Sequence, residues 1–273
     1  MNRAIGVIDS GVGGLTVAYE LMRQLPNEKL IYVGDTMRCP YGPRPEHEVK
    51  QFTMEMVHFL LEKDVKMIVI ACNTATAFTI KQLKEELSIP VIGVIKPGAR
   101  AAINATNNKQ IGVIGTEGTI RSESYVRALH KINHTLGVTT LACPTFVPMV
   151  EKGITDGEEA FQVVAEALEP LRTVNIDTLV LGCTHYPILQ KTIQQVIGHD
   201  VQLISSSEET ARETSAILEV HHLLQKNVRT AKHQFYMTGN LETFTKLSNI
   251  IFENCIECLQ DVMMDKINLP IQV

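Results

Sequence analysis

Apolar residues along this chain of 273 residues follow two rhythms. Short unbroken runs at 4–8 "AIGVI", 30–33 "LIYV", 67–71 "MIVIA", 91–95 "VIGVI", 111–114 "IGVI" and 178–181 "TLVL" read as strands buried on both faces, because a half-solvated strand would alternate with polar residues. Between them the spacing turns helical. Val49, Phe52, Met56, Phe59 and Leu60 share one face of 46–63; Ile80, Leu83 and Leu87 do so after Cys72, and Leu189, Ile193 and Val196 after Cys183. Strands alternating with helices predict an α/β fold with mainly parallel sheets and helices on both sides.

The chain also repeats itself. "IGVIDSGVGGLT" (5–16) is echoed by "IGVIGTEGTIRS" (111–122), and "MIVIACNTATA" (67–77) by "TLVLGCTHYPI" (178–188), at nearly equal offsets. Two related α/β units follow, each with a turn rich in Gly and hydroxyl residues and a cysteine at a strand end. Ligands of open α/β sheets bind beyond the carboxyl ends of the strands. Facing units would bring both cysteines to one ligand from opposite sides.

Composition narrows the class. Apolar residues at 45% and charged residues at 20% describe a globular protein. The net charge is −5 without a basic stripe, which argues against nucleic acid as the partner. No apolar run is long enough to span a bilayer, and "MNRAIGVIDSG" enters a strand without a leader pattern, so no membrane association and a cytoplasmic location are expected. The six cysteines, at 39, 72, 143, 183, 255 and 258, are then expected to be mostly reduced. Cys255 and Cys258 form a C-x-x-C that lacks the further ligands of a zinc site or the helix start of a redox pair, and reads as structural.

The loop "DSGVGGLT" departs from both nucleotide fingerprints: Thr16 stands where the dinucleotide motif needs its third Gly, and no Gly-Lys-Ser/Thr follows. It still offers backbone N–H groups to an anion such as a small carboxylate, although Asp9 adds negative charge at the same mouth. Cys72 and Cys183 share one local plan: each ends an apolar strand, is followed within two residues by Thr, and opens a helix, a position expected to lower a thiol pKa. Two matched thiols without a metal or cofactor motif suit racemisation or epimerisation, where one group takes a proton from one face of a carbon and a chemically similar group returns one to the other. Asp9 and His185 are placed to assist one thiol each. "RCPYG" (38–42) is a turn in which Cys39, having no partner, reads as incidental; Glu151 alone reads as a solvated charge at a helix end. A hydrolase or transferase with one nucleophilic cysteine, and an amino-acid-binding module, are the other classes these residues allow.

Seven segments in order, "GVIDSGVGGLTV", "YVGDTMRCPYGPR", "IACNTATA", "GVIGTEGTI", "CPTFVPMVE", "LGCTHYPIL" and "FYMTGN", resemble the cofactor-independent glutamate racemases of the aspartate/glutamate racemase superfamily. The resemblance implies two pseudo-symmetric doubly wound α/β domains with the active site in the cleft between them, here 1–96 plus 209–273 against 97–208. It implies Cys72 and Cys183 as the two acid/base groups for the D- and L-enantiomers, with Asp9, Glu151 and His185 assisting. Ser10, Tyr41, Gly42, Asn73, Thr74, Thr116, Thr119 and Thr184, with Asp9 and His185, fall where the family holds its substrate. It further implies glutamate as substrate, no pyridoxal phosphate, metal or nucleotide, a homodimer, and supply of D-glutamate for peptidoglycan. Aspartate, which would need a tighter pocket, is the same-class alternative. Ser207 and Glu208 stand where Gly and Asp are expected, which bears on the turn before the returning helix; the C-terminal C-x-x-C is no family feature.

Overall fold

The computed structural model describes residues 3–226, 232–252 and 262–269; Cys255 and Cys258 lie outside the described residues. The first unit runs β1 (Ile5–Asp9), α1 (Leu15–Gln24), β2 (Leu30–Gly34), α2 (Glu46–Glu62), β3 (Met67–Ile70), α3 (Asn73–Glu86) and β4 (Val91–Gly93), after which α4 (Ile95–Ala105) crosses over to pack on the second sheet. The second runs β5 (Gln110–Gly115), α5 (Glu117–Arg121), α6 (Ser124–Ile132), β6 (Gly137–Ala142), α7 (Phe146–Glu151), α8 (Gly157–Leu168), β7 (Thr178–Gly182), α9 (Gln190–Ile197) and β8 (Gln202–Ser205). The chain then returns through α10 (Ser206–Val220), β9 (His233–Met237), α11 (Leu241–Ile251) and β10 (Val262–Lys266).

Two sheets result, with strand orders β10-β9-β2-β1-β3-β4 and β6-β5-β7-β8. Every adjacent pair is parallel. The order β2-β1-β3-β4 recurs as β6-β5-β7-β8, so the repeat in the sequence is a repeat of topology. Ile5 pairs with Leu30 and Met67 on its two sides, as Ile111 pairs with Val138 and Thr178. β9 and β10 extend the first sheet beyond β2.

The unbroken apolar runs have the predicted cause: alternate residues enter different cores. In β1 and β3, Ile5, Val7, Met67 and Val69 face one layer, while Ile8, Ile68 and Ile70 face the other. Leu179 and Leu181 of β7 are likewise opposed by Val180. All six predicted strands form. β6, "GVTTLA", was not anticipated because this edge strand is only partly buried and its threonines break the apolar run. β8 is a second edge strand of the same kind, opening on exposed Gln202. α10 packs against α1 and α4 and so ties the second unit back to the first. Its start is ordinary despite Ser207 and Glu208: the Ser205 side chain accepts from the Ser207 N–H at 3.4 Å and acidic residues fill the first turn.

Candidate active site

The carboxyl ends of β1, β3, β5 and β7 meet across the gap between the sheets. Cys72, buried, is the N-cap of α3, its Sγ accepting from the Ala75 N–H at 3.4 Å. Cys183, also buried, follows β7 but does not open an α-helix. A short 3-10 turn, Tyr186–Leu189, comes first and α9 starts only at Gln190, so the expected match between the two cysteines holds at the strand end and fails in the helix. Pro187 accounts for this, since it removes a donor from the turn that a longer helix would need.

Both thiols open on one closed cavity with Ser10, Tyr41, Gly42, Asn73, Thr74, Thr116, Thr184 and His185. Of the residues singled out in the sequence, Asp9, Glu151 and Thr119 stand behind this wall. Its free volume is about 10 Å³, room for about one water. A groove of about 590 Å³ beside α1 and α10 is larger, but no cysteine lines it.

Cys183 belongs to a chain of polar groups. His185 Nδ1 lies 3.9 Å from Cys183 Sγ, and its Nε2 lies 2.6 Å from Glu151 Oε1. Burial pulls the imidazole toward neutrality, but the Cys183 sulfur and Glu151 carboxylate outweigh it and raise the pKa to about 10. Glu151 is therefore no free surface charge; it ends α7 with its carboxylate turned inward. Cys39, expected to be incidental, has a partner after all: its Sγ donates to Glu151 Oε1 at 3.7 Å.

Cys72 has a different neighbour. Asp9 is fully buried, and burial raises its pKa to about 6 against the favourable charge of His185. Its Oδ2 accepts from the Gly11 N–H at 3.0 Å and its Oδ1 from Thr184 at 3.3 Å. The anion that the glycine loop holds is thus the chain's own Asp9. The Cys72 thiol itself is pushed up to about 12, first by burial and then by the charge of Asp9, over the opposing hydrogen bonds from Ala75 and Ser10. The lowered pKa expected from a helix start is overturned, because two hydrogen bonds do not replace the water that burial removes.

The loop's glycines serve close approach. A Cβ on Gly13 would lie 2.5 Å from both His185 Nδ1 and Thr184 Oγ1, one on Gly14 2.4 Å from Asp9 Cβ, and one on Gly42 2.5 Å from Thr116 Cβ. Hydroxyls close the opposite end: Thr74 Oγ1 is 2.8 Å from Thr116 Oγ1 and 3.2 Å from Thr119 Oγ1. The Gly118 N–H donates to the Gly42 carbonyl at 2.8 Å. The Tyr41 phenol, by contrast, turns away from the cavity to donate to Asp35 at 2.5 Å. Asn73 has its Oδ1 held by the Tyr125 hydroxyl at 2.8 Å, while its buried Nδ2 has no partner among the described residues. A buried unpaired donor costs roughly 1–3 kcal/mol, so a cavity that keeps one is built for an acceptor it does not itself supply. Tyr125 and Asp35 are the contributors sequence reasoning missed; nothing local marks either, since each acts through a contact distant in the chain.

Residues 5–214 match the Asp/Glu/Hydantoin racemase family. The chain belongs to that family. A glutamate racemase of Oceanobacillus iheyensis is 63% identical over 254 residues, covering 93% of each chain. A crystal structure of a glutamate racemase isoform from Bacillus anthracis superposes with a TM-score of 0.92 at 49% identity, covering 99% of each chain. A glutamate racemase from Francisella tularensis, in complex with D-glutamate, gives a TM-score of 0.89 at 35% identity over 98% of each. These similarities place the chain among the glutamate racemases of the family, hence among the isomerases. No helix among the described residues is long and apolar enough to cross a membrane.

Proposed function

We propose that the chain interconverts L- and D-glutamate, with Cys72 and Cys183 exchanging protons with opposite faces of Cα. The observation that carries the proposal is that two thiols from equivalent strand ends of two units sharing one four-strand order line one cavity. One sulfur, as thiolate, takes the Cα proton; the electron pair passes into the α-carboxylate; the other thiol returns a proton to the far face. Nothing is oxidised or reduced, and the direction sets which sulfur starts as base.

The asymmetry around the thiols fits this cycle. A thiol near 12 is a strong base once ionised, and an amino-acid Cα–H needs one. The substrate's ammonium group, bound near Asp9 and Cys72, supplies the positive charge that lets the thiolate form, so the base is generated only when substrate is present. On the other side His185, held charged by Glu151, stabilises the Cys183 thiolate after proton donation. Asn73 Nδ2 and the Thr74–Thr116–Thr119 hydroxyls are donors for the carboxylates, with Ser10, Gly42 and Thr184 completing the wall and Tyr41 shaping it. In this reading residues 1–96 with 209–273 close on 97–208 around the substrate, the working unit is a cytoplasmic homodimer, and the product is D-glutamate for peptidoglycan.

The test incubates the protein with each enantiomer in D2O, following Cα deuteration by NMR and optical rotation. Both enantiomers are expected to exchange and racemise without added cofactor, and Cys72→Ala or Cys183→Ala to abolish racemisation. Absence of exchange in folded, reduced protein, or racemisation retained by either variant, overturns the two-thiol reading. A cysteine hydrolase or transferase would need one thiol only.

A further inference from the structure

Cys39, Glu151 and His185 present one sulfur, one oxygen and one nitrogen within 4.8 Å of one another. The Cys39 Sγ–Glu151 Oε1 distance is 3.7 Å and the Glu151 Oε1–His185 Nε2 distance 2.6 Å. We propose that these three side chains form a site for a borderline-soft divalent cation of the zinc class, and that its occupation stops the reaction at the neighbouring thiols.

A tetrahedral zinc ion with bonds of about 2.0–2.3 Å sets its ligand atoms about 3.3–3.6 Å apart. The sulfur and oxygen already stand near that separation, and the nitrogen and oxygen must part by about 0.7 Å to reach it. The donors lie close against the Gly11 backbone: a Cβ there would stand 3.1 Å from Cys39 Sγ and 3.3 Å from Glu151 Oε1, so nothing bulkier than glycine fits beside them. The imidazole is already oriented toward the carboxylate, its Nε2 directed at Glu151 while its Nδ1 contacts Cys183 Sγ. Access exists as well: the Glu151 side chain is 28% exposed and Cys39 is half-buried, so an ion arrives without opening the cavity. Coordination displaces the Cys39 thiol proton and the His185 Nε2 proton, so affinity rises with pH; the carboxylate and thiolate then balance the two charges of the cation, and water is the fourth ligand.

Metal on Nε2 would take His185 from Glu151 and freeze the group facing Cys183. The ion is no part of the reaction; it competes with it. This consequence for turnover rests on the racemase reading, whereas the site does not.

The experiment uses full-length protein carrying Cys255→Ser and Cys258→Ser, which removes the C-x-x-C pair as a competing ligand set. It is titrated with Co2+, whose bond to a thiolate gives a charge-transfer band in the near ultraviolet. The band is expected to saturate at one equivalent and to fade as Zn2+ displaces cobalt. Cys39→Ser should weaken binding by at least roughly 100-fold, since loss of even an outer partner costs 10–100-fold. The turnover of the same variant, measured against its own metal-free rate, should resist Zn2+ where that of its parent is inhibited. Cys39→Ala, with a melting curve for each protein, separates loss of a ligand from loss of fold. A band undiminished in folded Cys39→Ser or Cys39→Ala places the ion elsewhere and overturns the site. Unimpaired turnover in zinc-loaded parent protein overturns the inhibition. The absorption readout needs no turnover, so failure of the racemase reading would leave it interpretable.

Discussion

Asp9→Asn should make the protein more stable at neutral pH and leave that gain to vanish in acid. In the folded chain the Asp9 pKa is about 6, against 3.8 for an unperturbed carboxyl, because burial disfavours its charge more than His185, Gly11 and Thr184 favour it. The sign follows from linkage. A carboxyl whose folded pKa is raised stabilises the fold fully below the unfolded pKa, and that stability is lost as pH rises through the folded value. Two pKa units at 1.36 kcal/mol each make the ionised, buried Asp9 cost about 3 kcal/mol above pH 6. Between about pH 4.5 and pH 8, where urea melts are practical, the change amounts to about 2 kcal/mol. Asn is close in shape but keeps one acceptor oxygen where Asp9 offers two, to Gly11 and Thr184. Part of the gain at neutral pH is therefore offset, and the slope of the stability difference with pH is the better observable. Urea unfolding of both proteins across that range should show Asp9→Asn gaining on the parent as pH rises, while racemisation falls. A stability difference that does not change with pH would refute the account of a destabilised buried carboxylate.

Three other perturbations have defined outcomes. Gly13→Ala should cost about 1–3 kcal/mol in thermal or urea unfolding and most of the turnover, because its Cβ falls 2.5 Å from His185 and Thr184; wild-type kinetics would show that the loop can yield. Lys66→Met should cost about 3–5 kcal/mol by leaving Glu28 charged and buried, and Glu28→Leu added to it should recover most of the loss; a single-variant cost below about 1 kcal/mol would refute the pairing. Tyr125→Phe should raise KM more than it lowers kcat, since Asn73 keeps its place but loses the bond that fixes which end of its amide faces the cavity; a pure kcat effect would contradict this.

The sequence carried its local physics well and its distant contacts poorly. Fully buried strands announce themselves as unbroken apolar runs, so β1 to β5 and β7 could be placed, and the echo between Cys72 and Cys183 located the cavity. Edge strands such as β6 carry no comparable mark, because half their surface has no core to match. The helix start at Cys72 was legible, yet its effect on the thiol was reversed by burial and by Asp9, which lie on other parts of the chain. Cys39 read as unpartnered for the same reason: its partner Glu151 is 112 positions away. The glycine loop read as a cradle for a ligand anion, whereas it holds the chain's own Asp9 and its glycines make room for the side chains of Asp9, Thr184 and His185.

The cavity between the thiols admits about one water, and glutamate is many times larger. On the proposed reading, glutamate enters when the Gly118–Gly42 and Thr74–Thr116 contacts part, and the capture rate is then the open-state rate multiplied by the open fraction. Each 1.4 kcal/mol added to closure slows capture about tenfold, while the closed site grows drier for the chemistry. Seam contacts remote from either sulfur thus set how quickly glutamate is caught, and slackening them should speed capture at the expense of the proton-transfer step.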